Sequence, residues 1–169
     1  MMISFELSLE FLNRQGIPLS VEDVRYGFER GWLRPQTVIE WAVHQVEKNE
    51  SDPIVIDIAS LLMDEIDRVP AALDQLDSPD RIHDPRSSSR KWLYLQLRAA
   101  YEKRRDLADP LGVVETIYSD FDYPQTLEGF VRYMPLRPGD DPGEVALLQR
   151  WAAYLKAEQE ALKRNPSGR

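Results

Sequence analysis

The chain has no cysteine, so disulfides and thiolate metal sites are excluded outright. It has two histidines in 169 residues, too few for the full imidazole set of many metal enzymes. Nowhere do 18 or more apolar residues run together, so no stretch reads as a membrane-spanning helix. The opening MMISFELSLEF lacks a basic region and carries Glu6 and Glu10, so it does not read as a signal peptide. A glycine-rich phosphate loop, a GxSxG elbow and a Ser/His/Asp grouping are also missing. Basic charge is in short supply: 21 Lys and Arg stand against 29 Asp and Glu, a net charge of −8, which argues against a nucleic-acid backbone as partner. These absences together predict a cytoplasmic protein with no cofactor, no nucleic-acid partner and no membrane partner.

What is present suits a helical domain. At 169 residues the length fits one domain with a real core. The apolar share of 43% and charged share of 30% fit a helical protein with long solvated faces. Charge is uneven. Residues 51–86 hold 9 acidic and 3 basic side chains, residues 87–105 hold 1 and 6, and residues 106–144 hold 9 and 2. A basic segment between two acidic ones either neutralises them within the fold or leaves an acidic surface that steers a basic protein.

Periodicity predicts helices nearly throughout. Ile3 to Asn13 mixes periods and ends at Gly16 and Pro18. Ser20 caps the next helix, with Asp23 in the place usually held by Glu or Gln, and Gly31 stops it. Trp32 and Leu33 turn inward. Val38, Ile39, Ala42, Val43 and Val46 make an amphipathic helix after Pro35. Val55, Ile58, Leu62, Ile66 and Val69 predict one helix from Pro53 until Pro70 ends or kinks it, and residues 77–89 form the clearest loop. Of four Asp-Pro pairs, Asp52-Pro53, Asp109-Pro110 and Asp141-Pro142 predict helix starts. Asp84-Pro85 lies early, with Ser87–Ser89 as the expected cap. The segment WLYLQLRAAY is apolar almost all round and predicts a central helix, with Lys91, Arg98 and Arg105 as its basic stripe. The last helix places Val145, Leu148, Trp151, Leu155 and Leu162 toward the core. No segment reads as a strand. The expected fold is all-α, a single domain over residues 1–163 with about seven or eight antiparallel-packed helices and a flexible tail at 164–169.

The stretch VVETIYSDFDYPQTLEGFVRYMP, residues 113–135, concentrates five aromatic rings with several carboxylates. Pro124 forces its predecessor out of the helical region, which predicts a bend. A second helix is expected beyond it, through Leu127, Phe130, Val131 and Met134. The bend presents Glu115, Asp120, Asp122 and Tyr123 as a candidate partner-binding surface. The same carboxylates could instead pair with the basic stripe. Tyr118, Tyr123, Tyr133 and Phe130 are either a contact platform or the closure of a helix corner.

One enzyme reading competes. His83-Asp84 is a literal His-Asp pair, and with His44 and a further aspartate it resembles the ligand set of HD-type metal-dependent phosphohydrolases. Pro85 and the Ser/Asp-rich loop argue against it, because such a pair belongs on a rigid helix. His44 has Glu40 one turn earlier but no second histidine at metalloprotease spacing.

Lys91-Trp92-Leu93-Tyr94-Leu95, then Asp109-Pro110-Leu111 with Val114-Glu115 and Ile117 to Pro124, then Phe130 to Pro135, resemble the hallmarks of a bacterial family called domain of unknown function 2247. Ser119 stands where the family has alanine. The likeness is specific between about residues 91 and 135. Some short acidic helical families look like immunity proteins that block a toxin, so by analogy the resemblance implies a non-enzymatic binder of a basic protein partner. A scaffold or oligomerising domain is the remaining expectation.

Overall fold

Polar side chains start several helices of this chain, and left-handed residues stop four of them, Gly16 closing the first at φ 67°. In the computed structural model, which describes residues 5–166, Ser8 Oγ accepts from the Phe11 N–H at 3.1 Å and opens α1, Leu9–Gln15. Ser20 and Asp23 form the expected reciprocal cap of α2, Val21–Glu29, at 3.1 and 2.9 Å. Helix α3 is Pro35–Glu47, and α4 is Pro53–Ala59, whose Ile54 N–H donates to Asp52 at 3.0 Å. Then come α5, Val69–Asp74, α6, Pro85–Glu102, α7, Pro110–Asp120, and α8, Glu144–Arg164. Three 3₁₀ turns, Met63–Arg68, Gln75–Asp77 and Gln125–Phe130, fill gaps between them. The described residues contain no strand, so the fold is all-α, with eight α-helices among them.

Three of these stops share one device. After α2, α3 and α7, a residue with positive φ lets two backbone N–H groups return to carbonyls of the last turn. Gly31 at φ 78° does this with Trp32, and Asn49 at φ 70° with Glu50. Asp122 at φ 61° does it with Tyr123. Only the first has the residue that is indifferent to that conformation.

Several expectations need correction. Phe5 and Leu7 are buried in an extended lead-in, with the Leu7 N–H donating to the Trp32 carbonyl at 2.8 Å, so α1 begins only at Leu9. The expected start at Ile3 lies outside the described residues, as does residue 167 onward. The predicted helix from Pro53 to Val69 breaks after Ala59. Ser60 Oγ donates to the Asp57 carbonyl, the Leu62 N–H turns to the Glu65 carboxylate at 2.9 Å, and Leu62 is left 64% exposed. Pro70 lies in the first turn of α5, where its missing N–H costs nothing, rather than at a helix end. Asp84-Pro85 does start a helix, because Asp84 accepts from the Arg86 N–H at 3.0 Å. Asp141-Pro142 does not: Gly143, at φ 99°, intervenes, α8 begins at Glu144, and Val145 is 71% exposed rather than in the core. Lys91 is buried, so the basic stripe does not lie along an exposed face.

The described residues fall into two compact units. The first is Glu6–Ser88. In it α3 packs on α4, and Val24, Val38, Ala42, Ile58 and Val69 are sealed from solvent. Arg81 reaches both Glu22 and Asp52, at 2.7 and 2.6 Å, and Arg25 forks onto Asp77, so the 77–81 loop is tied to α2 and to the start of α4. The second unit runs from Ser89 onward and includes Phe5. The expected all-round burial of α6 holds there: Trp92, Tyr94, Leu97 and Ala100 are inaccessible. Gln96 closes a two-way bond with the Phe5 backbone, at 3.0 and 3.1 Å. Trp151 and Leu155 of α8 are buried, and the Trp151 ring stacks parallel to that of Phe130.

Candidate functional site

The surface with the most organised chemistry is the end of α7 and the chain that follows it. Val113, Val114, Ile117 and Tyr118 bury one face of α7, as their spacing requires. The helix then closes on Asp122 and Tyr123. The Tyr123 N–H donates to the Tyr118 carbonyl at 2.8 Å, and the Asp122 N–H to that of Ser119 at 3.2 Å. Both Asp122 and Tyr123 sit at positive φ, 61° and 56°, a conformation uncommon for side chains with a Cβ. The Tyr123 ring meets Tyr118 edge-on at 5.2 Å between centroids, and Tyr133 lies 6.1 Å from Tyr118 on a tilt. A buried tyrosine thus holds two others, which are 57% and 59% exposed. Asp120 and Asp122 are exposed beside them.

The elbow differs from the expected pair of helices. Beyond Pro124 the chain makes the 3₁₀ turn Gln125–Phe130, and no α-helix forms until Glu144. Leu127 and Phe130 still reach the core, because 3₁₀ spacing of three also puts them on one side. The aromatic set divides: Tyr118 and Phe130 close the corner, while Tyr123 and Tyr133 present themselves to solvent.

Glu115 has a different place from the other acids. It takes two bonds from Arg132, at 2.8 and 3.1 Å, while Asp109 takes two more from the same guanidinium at 3.0 and 2.9 Å. Arg132 therefore straps the start and middle of α7 to the segment after the 3₁₀ turn. Its hydrogen bonds hold the Asp109 carboxyl below the usual carboxylate range. Glu115, Asp120, Asp122 and Tyr123 belong to one corner, but Glu115 faces its clamp. The partner of Glu115 is 17 residues away, and no local spacing reveals such a pair. Arg132 was accordingly missed in the sequence.

The histidines do not assemble. His44 lies 3.8 Å from Glu47, rather than beside Glu40. His83 Nε2 shares a hydrogen with Ser88 Oγ at 2.7 Å, and Ser88 donates onward to Asp23 Oδ1 at 2.6 Å. That chain contains Ser, His and Asp, but the serine is central and fully buried, and its proton points at the carboxylate. A nucleophilic arrangement requires the imidazole between the other two and an accessible hydroxyl. Asp84 caps α6 and pairs with Arg86, whose hydrogen bonds hold its carboxyl low. Among the described residues no three His, Asp or Glu side chains gather where they could hold a metal ion.

Comparison with known proteins gives one match. The model of the family described as "Uncharacterized protein conserved in bacteria (DUF2247)" matches residues 9–159. No curated protein and no solved structure matches the chain. The chain belongs to the DUF2247 family.

Proposed function

We propose that this DUF2247 member is a non-enzymatic protein-binding domain whose α7 corner docks a basic protein partner, in the manner of an immunity protein that blocks a toxin. The observation that carries the reading is the pairing of two ring-braced, more than half-exposed tyrosines, Tyr123 and Tyr133, with two exposed carboxylates, Asp120 and Asp122. Tyrosine brings large contact area at small entropic cost, and rings already held in place lose less on binding. The neighbouring carboxylates attract a partner of opposite charge and set its orientation. Glu115 acts indirectly here, by keeping Arg132 on α7.

The test is capture from a lysate of the native bacterium, followed by titration of the captured protein. The wild type is expected to retain a basic protein with an affinity that falls as salt rises. Asp120→Asn with Asp122→Asn removes both charges, keeps a residue tolerant of left-handed backbone at 122, and should weaken capture at least about tenfold, or about 1.4 kcal/mol. Tyr123→Ala should weaken it comparably without altering the salt slope. Equal retention by all three proteins would refute the assignment.

A further inference from the structure

The second unit holds a cleft of about 200 Å³ between the 3₁₀ turn Gln125–Phe130 and the first turns of α8. Met134, Leu136 and Leu147 supply apolar wall. Four charged residues also line it, the acids Glu128 and Asp140 and the arginines Arg132 and Arg150. Arg132 is committed to Glu115 and Asp109, and Arg150 donates to the carbonyls of Gly129 and Asp141. The remaining nitrogen of Arg150, Nη2, is shut off from solvent, so neither guanidinium offers a free fork to an anion in the cleft. The cleft continues the α7 corner. Met134 directly follows Tyr133, and Arg132 ties the same segment to α7. Burial first, and the charge of Glu128 second, push the Tyr118 hydroxyl up, so that carboxylate is felt in the tyrosine cluster as well.

We propose that this cleft is the anchor pocket of the α7 corner, seating one bulky aliphatic side chain, of leucine's size, from a basic segment of the partner protein. The pocket rests on the docking role given to the corner above and adds the chemistry of what docks. Two carboxylates oppose an inserted anion, and two guanidiniums oppose an inserted cation, so the occupant is neutral. The surface around the pocket selects charge instead. Residues 120–144 hold six acids against two cations, one of them the clamped Arg132, which fits a basic segment on either side of the anchor. The volume is below the roughly 300 Å³ where free-ligand sites begin and suits a single side chain. Apolar anchors filling such pockets, ringed by polar contacts, carry much of the energy of protein interfaces. Leu136, 51% exposed, is wall that such an anchor would cover.

The experiment pairs two readouts on the full chain. An amide-resonance titration uses isoamyl alcohol, a neutral mimic of the leucine side chain, beside isoamylamine and isovalerate. The alcohol should shift resonances of residues 128–150 saturably, with each charged analogue at least about threefold weaker. Leu147→Trp fills the cleft without changing charge, and Leu136→Asn removes half-exposed wall at little cost to the fold; circular dichroism checks that both are folded. Each should weaken retention of the captured basic protein at least about tenfold while leaving its salt dependence as in the wild type, unlike Asp120→Asn with Asp122→Asn. No saturable shift with the alcohol, or a charged analogue that matches it, would overturn the pocket and leave the corner standing. Equal retention by wild type, Leu147→Trp and Leu136→Asn would do the same. A wild type that retains no basic protein would instead remove the docking role of the corner, and the pocket with it.

Discussion

A single residue's conformation decides much at the α7 corner. Asp122 is in the left-handed region at φ 61°, where a Cβ is penalised and glycine is not. Asp122→Gly should therefore stabilise the protein by about 0.5–1 kcal/mol, raising Tm by about 2–4 °C, and Asp122→Val should lower it by more; thermal unfolding followed by circular dichroism measures both. Gly112 shows the opposite constraint. A Cβ there would lie 2.4 Å from Asp109 Oδ2, and Arg132 pins that carboxylate. Gly112→Ala, usually worth up to about 1 kcal/mol inside a helix, should destabilise instead. Adding Asp109→Ala should recover the lost helix gain, which urea denaturation of the single and double variants would reveal. At the 81 position, Arg81→Met leaves Glu22 and Asp52 without their cation and should cost about 1–2 kcal/mol at pH 7. Burial alone pushes the Asp52 carboxyl up, but the bonds from Arg81 and the Ile54 N–H prevail and leave it low. A carboxylate with a depressed folded pKa stabilises above its unfolded value near 4 and loses that contribution as pH falls through the folded one. The gap between wild type and Arg81→Met should accordingly close as pH falls below the usual carboxylate range and through the depressed folded pKa of Asp52.

At the scale of elements, periodicity was reliable where one stretch had one role. Helices α3, α6 and α7 stand close to where their apolar spacing puts them, and the four tryptophans are buried as expected. It failed where local hydrogen bonds outweighed the pattern. The spacing from Val55 to Val69 is helical, yet Ser60 and Glu65 capture backbone groups and split the run, turning Leu62 outward. The Asp-Pro signal was ambiguous for a related reason. A carboxylate caps only when the next residues follow helical dihedrals, which Gly143 prevents after Pro142 and Arg86 permits after Pro85. Of the candidate surface, the bend, its rings and its acids were legible in residues 113–135. The Arg132 clamp was not, since its pairs span 17 and 23 positions. Packing of α8 against the 3₁₀ turn Gln125–Phe130 also depends on long-range pairs, with Phe130 stacked on Trp151 and tilted against Tyr154. Phe130→Ala should cost about 3–5 kcal/mol, read as a lower urea midpoint with an unchanged slope.

For the whole molecule, pH sets limits at both ends. Burial pushes the Tyr94 hydroxyl up to about 12 and that of Tyr154 higher still. A group with a raised folded pKa gives its full stabilisation below the unfolded value, near 10 for tyrosine, and loses it as pH climbs through the folded one. Phenolate absorbance should therefore show Tyr94 and Tyr154 ionising only above the usual tyrosine range, together with loss of helical signal. No helix among the described residues is long and apolar enough to cross a membrane. Of the left-handed helix stops, those at Gly31, Asn49 and Asp122 carry a consequence for how the chain can vary. Codons for asparagine, aspartate and glycine form a path of single-base changes with aspartate in the middle. In a saturation library sorted for folded protein, these three sites should therefore be enriched in those three letters over the others, with aspartate as the genetic stepping stone.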